Sequence, residues 1–192
     1  TMKLLWAKLL HFWKADRSLS IFLVLLVYII FIMPVLQAPD SLGRFMGNLA
    51  LTALLIAGTV STAESRWMRF GMILFTVLAL LVRWAAFVAP SDILAIGREA
   101  STLVMFLLFA LIVAARAYRG GPVTHYRIQG AVAVLLLLGL VWAHAYELLY
   151  LIHPDAFSGA VGNAPGALTW IYYSFVTLTT MGYGDITPVH PI

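Results

Sequence analysis

Long apolar runs constrain this chain more than any other feature of its sequence. A helix that crosses a bilayer needs about 20 mostly apolar residues, and five segments meet that requirement. Of the 192 residues, 62% are hydrophobic and 10% are charged, whereas a soluble domain is roughly half apolar and a quarter charged. Lipid-exposed open sheet is excluded because its edges would stay unpaired. The sequence therefore predicts an all-α membrane protein with transmembrane helices at 19–36, 45–62, 67–89, 94–115 and 128–152.

The basic residues favour one orientation of these helices. If the five helices alternate, only Arg44 and Arg98 fall on one side, and Arg83 lies within the third helix. Cationic loops stay cytoplasmic, so the N-terminus is predicted inside, in a plasma or inner membrane. This distribution accounts for the net charge of +4 without a nucleic-acid partner. The other side holds Lys3, Lys8, Lys14, Arg17, Arg66, Arg69, Arg116, Arg119 and Arg127.

A polar, glycine-containing stretch follows the fifth apolar run. Thr177–Asp185 reads Thr-Leu-Thr-Thr-Met-Gly-Tyr-Gly-Asp, and its two glycines can take backbone angles closed to other residues. The segment before it, 168–179, is too short to span and predicts a re-entrant half-helix that starts near Pro165. Non-helical backbone at membrane depth needs shelter within protein or beside water, so this stretch predicts an oligomer. A plain glycine-rich turn is the alternative, but it leaves the threonines unexplained.

This stretch resembles the signature of the tetrameric potassium channel family, Thr-x-x-Thr-x-Gly-Tyr-Gly-Asp. The fixed positions are met, and Met181 stands where the family usually has Val or Ile. Trp170, Tyr172 and Tyr173 stand where the family carries aromatic residues of its pore helix. The close resemblance covers 164–188. The matching residues are Thr177, Thr180, Gly182, Tyr183, Gly184 and Asp185.

The resemblance implies a homotetramer in a lipid bilayer, with K⁺ as its bound ion. The carbonyl oxygens of Thr180, Met181, Gly182, Tyr183 and Gly184, here called the filter segment, would replace the water around K⁺. Asp185 would sit just outside and hydrogen-bond Tyr172. The residues expected to support the filter segment are Thr177, Thr179, Asp185, Tyr172, Trp170 and Glu147.

The resemblance also divides the chain. Residues 1–17 form either an amphipathic helix on the membrane surface or a cytoplasmic extension of the first span. Residues 18–118 correspond to a four-helix sensor-like domain, but no Arg or Lys lies between Leu103 and Ala115, so we expect no voltage gating. Residues 119–192 form a partial pore domain. We expect the inner pore helix, and possible ligand-sensing domain, beyond Ile192.

Several other residues carry narrower expectations. Glu147 would either brace the start of the pore segment or extend to the membrane surface, and His144 is expected to be a satisfied core residue. Arg83 and Glu99 are expected to pair, because a lone charge in lipid is costly. Close helix packing is expected at small residues, namely Gly58, Gly71, Ala110 and Gly139.

Three functions remain open from the sequence. The preferred one is a potassium channel subunit, which is not an enzyme; no catalytic triad, metal cluster or nucleotide-binding loop stands out in the sequence. The alternatives are a membrane scaffold or sensor with a vestigial pore loop, and a subunit of a potassium transporter. Transporters with related loops usually keep one filter glycine per loop, and the intact Gly-Tyr-Gly argues against that alternative.

Overall fold

Four long apolar helices dominate the fold. The computed structural model describes residues 19–33, 41–62, 66–118, 124–161 and 166–189. An earlier apolar helix, α1, is described from Leu19 to Ile32 and is shorter than a bilayer requires. The all-α membrane fold is confirmed, with four of the five predicted spans described at full length. The four are α2 (Ser41–Thr62), α3 (Arg66–Val88), α4 (Asp92–Ala117) and α5 (His125–Ile152).

The end of α1 departs from regular α-helix. Tyr28–Ile32 is a π-helical stretch, in which each turn holds an extra residue. Proline kinks or ends a helix, so the sequence also predicts a kink at Pro34. Pro34, the end of this span near Leu36 and the segment 1–17 lie outside the described residues.

A short helix and two short strands complete the described chain. α6 (Ala167–Leu178) has 12 residues and is about 18 Å long at 1.5 Å per residue, too short to cross a bilayer. This confirms the predicted half-helix, although Pro165 lies outside the described residues. β1 (Phe157–Gly159) pairs antiparallel with β2 (Ile186–Pro188), placing Ser158 opposite Thr187. The strands were not predicted, because three residues carry too little alternation to recognise.

The chain divides into two compact units. The first comprises residues 1–76 and 109–135, and the second comprises residues 77–108 and 136–192. In the first unit the rings of Phe22 and Phe109 meet edge to face, 5.7 Å apart, and both are fully buried. Gly58 permits this packing, because a Cβ added there would overlap the Phe109 ring.

Hydrogen bonds between helices reinforce the first unit. The hydroxyls of Thr59 and Thr76 lie 2.6 Å apart, and either can be the donor to the other. The accepting hydroxyl then donates to a carbonyl of its own helix, so both buried groups are satisfied. Arg116 donates to the last carbonyls of α2, at Ser61 and Thr62, and Arg127 donates to Ala117 O at 2.8 Å. These arginines satisfy carbonyls that have no partner within their own helix.

Aromatic side chains form the core of the second unit. Trp170 and Tyr173 of α6 are buried against Phe157 of β1, with ring centroids 5.1 and 5.8 Å from it. Tyr146 and Tyr150 of α5 pack on the same cluster, 4.6 Å from Tyr173 and 5.3 Å from Trp170 respectively. The position of α6 is therefore determined by aromatic contacts with α5 and β1.

The four predicted small-residue contacts have different outcomes. Gly58 and Gly139 are close-packing sites, since an added Cβ would overlap Phe109 or Phe175 respectively. Ala110 is buried, as expected. The prediction for Gly71 is wrong, because nothing lies within 4 Å of a Cβ added there. The spacing of small residues alone does not reveal which helix face meets a neighbour.

Gly58→Ala tests the helix packing in the first unit. The Phe109 ring is fully buried and held by Phe22, so it cannot move away without cost. We expect a loss of about 1–3 kcal/mol in the free energy of unfolding, the usual cost of overpacking. Gly71→Ala is the matched control and should be neutral or stabilising by up to about 1 kcal/mol. Thermal unfolding in detergent micelles measures both, and equal melting temperatures would contradict this packing.

Candidate functional site

The filter segment has an alternating backbone. Thr180, Gly182 and Gly184 have φ values of +58°, +54° and +74°, while Met181 and Tyr183 have negative φ. Alternating handedness lets successive peptide groups face the same side, which a regular strand does not allow. Thr180 is unusual, because a β-branched residue in the left-handed region is strained by about 1–3 kcal/mol.

The main-chain oxygens of this segment are unpaired within the described part of the chain. Among the described residues, no hydrogen-bond donor contacts the carbonyl oxygens of Thr180–Gly184. Its amides, in contrast, are held by the end of α6: Met181 and Gly182 donate to Val176 O at 3.0 and 3.3 Å, and Thr180 donates to Thr177 O at 3.0 Å. The helix end therefore fixes the start of the segment and leaves the carbonyls available.

Asp185 anchors the other end of the segment. Its Oδ2 accepts a hydrogen bond from the Tyr172 hydroxyl at 2.7 Å, which is the predicted bond, and its Oδ1 accepts one from the Ile186 amide at 3.1 Å. Its main-chain oxygen accepts the Ala160 amide at 2.7 Å.

Gly159 makes the close approach to Asp185 possible. Its φ is +95°, and a Cβ at this position would overlap the Asp185 carbonyl. Next to this point, β1 pairs with β2, and Val189 donates to Ala156 O at 2.9 Å. The residues before and after the filter segment are thus joined by main-chain hydrogen bonds. The contact of Gly159 with Asp185 was not predicted, because Gly159 lies far from Thr177–Asp185 in the sequence.

The predicted supporting residues occupy several environments. The hydroxyls of Thr177 and Thr179 donate to the α6 carbonyls four residues earlier, at Tyr173 and Phe175 respectively, and so find their partners within the helix. Trp170 is fully buried, and the ring contacts that the structure gives it are with Tyr150 and Phe157. Trp170 therefore packs α6 against α5 and β1.

α6 also packs closely on α5. Ser174 is buried and donates to Gly139 O at 2.6 Å, and the Phe175 ring lies where a Cβ of Gly139 would be. The filter segment itself is exposed in the single chain, with 59% of Met181 and 62% of Tyr183 accessible. A single chain thus holds this segment through the end of α6 and leaves the side chains of Met181 and Tyr183 exposed.

A second polar group lies in the same unit, between α4 and α5. Glu99 is buried and bound at both oxygens, by Arg98 Nε at 2.6 Å and by His144 Nδ1 at 2.6 Å. Glu147 Oε1 lies 3.9 Å from Arg98 Nη2. His144 is a satisfied core residue, as expected, and also lies 5.4 Å from the Phe106 ring.

One expectation about this ionic cluster needs correction. The predicted pair of Arg83 with Glu99 is absent from the ion pairs of the described residues, because Arg98 and His144 already occupy Glu99. Arg83 is 7% exposed and its Nε has no hydrogen-bond partner in the described structure. The ion-pair partner found for Glu147 among the described residues is Arg98. Its brace to the start of the pore segment stays a prediction, because Pro165 lies outside the described residues.

The cluster also contains a set of possible metal ligands. Glu99, His144 and Glu147 each offer one ligand atom, all within 4.8 Å of one another. Such ligands suit divalent metals, but Glu99 already contacts Arg98 and His144, and Glu147 lies 3.9 Å from Arg98. A dication would have to displace Arg98 from Glu99, so the arrangement is best explained as an ion network linking α4 to α5. The sequence did not reveal it, because Glu99 and His144 are 45 residues apart.

Glu99→Gln tests the importance of this network. Removing the charge takes away the buried carboxylate that both Arg98 Nε and His144 Nδ1 contact, and breaking a buried pair in this way costs about 3–5 kcal/mol. We expect a corresponding loss in the free energy of unfolding. Asp92→Asn is the matched control, because Asp92 is exposed in the first turn of α4 and should cost less than about 1 kcal/mol. Similar losses in both variants by denaturant unfolding would contradict the interpretation.

Gly159→Ala tests the anchoring of Asp185. The methyl would be strained at positive φ and would overlap the Asp185 carbonyl, so the hydrogen bond from Ala160 should break. We expect amide hydrogen exchange at Ala160 and Val189 to rise by about tenfold or more. The control is Gly166→Ala, where no atom of the described residues lies within 4 Å of the added Cβ and φ is −94°. Unchanged exchange in Gly159→Ala would show that the contact is not needed.

A comparison with known protein families gives a match in the region around this site. Residues 132–192 match the model of a protein family described as ion channel. The matched range includes most of α5, both strands, α6 and the filter segment. No curated protein and no solved structure matches the chain. The family match supports an ion channel in a membrane, and it covers the part of the chain in which the unpaired carbonyls lie.

Proposed function

We propose that this chain is a subunit of a potassium-selective channel, in which filter segments from four copies bind dehydrated K⁺. The observation that carries the proposal is the run of unpaired carbonyls on the alternating backbone of Thr180–Gly184. Rings of such carbonyls replace the hydration shell of potassium in known channels. The ion-channel family match over residues 132–192 supports conduction as the function.

The chemistry of the segment favours a monovalent cation. Its oxygens belong to main-chain carbonyls and the Thr180 hydroxyl, which carry partial charges only. Divalent Ca²⁺ and Mg²⁺ are usually held with the help of carboxylates. The one neighbouring carboxylate, Asp185, is already bound to Tyr172 and to the Ile186 amide. Potassium needs only dipoles to replace its water, so it is the best match for these ligands.

The exposure of the filter segment in the single chain supports an oligomer. Unpaired backbone cannot face lipid, because each unsatisfied group costs several kcal/mol. Copies of this chain around a common axis would cover the exposed Met181 and Tyr183 side chains and surround the ion path with carbonyls. The resemblance of the motif favours four copies, and the lack of basic residues between Leu103 and Ala115 favours gating by a stimulus other than voltage.

Ion flux into liposomes containing the full-length protein tests the function. A channel predicts passive K⁺ flux that greatly exceeds Na⁺ flux and is blocked by Ba²⁺. Flux that requires a second ion gradient would favour a transporter, and the absence of flux would favour a scaffold with a vestigial loop. Empty liposomes and liposomes made permeable with a potassium ionophore provide the lower and upper controls.

Gly182→Ala tests the role of the filter backbone. Alanine at φ +54° costs about 1–2 kcal/mol and favours a flipped peptide, which turns a carbonyl away from the ion. We expect K⁺ flux or its selectivity over Na⁺ to fall by about tenfold or more. Gly166→Ala is the control, since it makes the same change before α6 at negative φ and away from the other described residues. Selective flux retained in Gly182→Ala would contradict the proposed binding of K⁺ by these carbonyls.

A further inference from the structure

A groove at the start of α3 has no role in the function proposed above. Its lining combines two arginines with apolar side chains on the first two turns of the helix. Four of the five residues follow the spacing i, i+3, i+4 and i+7, which places them on one face. The lining residues are Arg66, Trp67, Arg69, Phe70 and Ile73.

The arginines of this groove differ from others in the same unit. Arg116 and Arg127 donate to carbonyls at helix ends, so their charges already have structural partners. Arg66 and Arg69 are exposed, and among the described residues, which exclude 63–65, neither forms a hydrogen bond or an ion pair. Their guanidinium groups are therefore available to an anion from outside the described chain.

The apolar side chains of the groove indicate that this anion is the headgroup of a lipid. α3 is long and apolar enough to span the bilayer, so its first turn lies at the boundary between headgroups and acyl chains. Trp67 is 86% exposed, and tryptophan favours that boundary. Phe70 and Ile73 lie one and two turns further along and are also exposed. A soluble phosphate would use the arginines alone, whereas a phospholipid would use the arginines and the apolar side chains.

We propose that this groove binds an anionic phospholipid of the cytoplasmic leaflet. The headgroup phosphate lies between Arg66 and Arg69, whose planar guanidinium groups match phosphate oxygens in pairs. An acyl chain lies along Phe70 and Ile73. The excess of basic residues on this side of the membrane favours the cytoplasmic leaflet, where anionic lipids attract basic residues near the surface. The proposal does not depend on ion conduction.

Lipid retention measures this binding directly. The full-length protein is reconstituted in vesicles of equal phosphatidylglycerol and phosphatidylcholine, extracted in mild detergent, and its bound lipid is quantified by mass spectrometry. We expect phosphatidylglycerol to be enriched on the wild-type protein. Arg66→Gln or Arg69→Gln should each reduce that enrichment about fivefold, the usual effect of one basic residue near an anionic surface. Arg69→Lys should retain an intermediate enrichment, because it keeps the charge but loses the planar donors.

Arg44→Gln is the matched control. Arg44 is also exposed near the start of a spanning helix, but lies on the predicted opposite side of the membrane. Equal enrichment in wild type and in both groove variants would overturn the proposal, as would an equal loss in Arg44→Gln. Unchanged melting temperatures establish that the variants are folded, and Arg69→Lys provides a test if a glutamine variant is not. Because no flux is measured, a negative result here is distinct from a failure to conduct.

Discussion

The need to satisfy every backbone polar group inside a membrane governs the structure around the filter segment. Helices meet this need internally, and α2 to α5 are such helices. The carbonyls of Thr180–Gly184 do not meet it within the described chain. They require a partner that is neither lipid nor a donor of the described residues. In the proposed channel a cation on a shared axis would supply that partner, and the copies around it would exclude lipid, so ion binding and assembly would be two consequences of one requirement.

The rest of the second unit holds this strained segment in place. The end of α6 binds the amides at its start, while Tyr172, Ala160 and the two strands hold Asp185 at its far end. Behind α6, the aromatic cluster and the close contact of Ser174 with Gly139 fix the helix to α5. Thr180 can remain at positive φ because the surrounding hydrogen bonds over-determine its position.

Much of this arrangement could be predicted from the sequence, and the physical reasons are clear. Helix lengths followed from hydropathy, since a bilayer imposes one length on every span. The motif and its bond from Tyr172 to Asp185 followed from the resemblance to potassium channels. Contacts between distant residues were less accessible. Glu99 was assigned to Arg83, but it binds His144 and its own neighbour Arg98, and Gly159 gave no signal because its partner, Asp185, lies far along the chain.

The central claim is that the carbonyls of Thr180–Gly184 coordinate K⁺, and solid-state NMR of these carbons tests it most directly. Full-length protein with ¹³C-labelled glycine and tyrosine carbonyls is reconstituted in bilayers and compared in K⁺ and in Na⁺ at equal ionic strength. The account predicts that the carbonyl resonances of Gly182, Tyr183 and Gly184 shift when K⁺ replaces Na⁺, while that of Gly71 does not. Identical filter resonances in the two salts would contradict it.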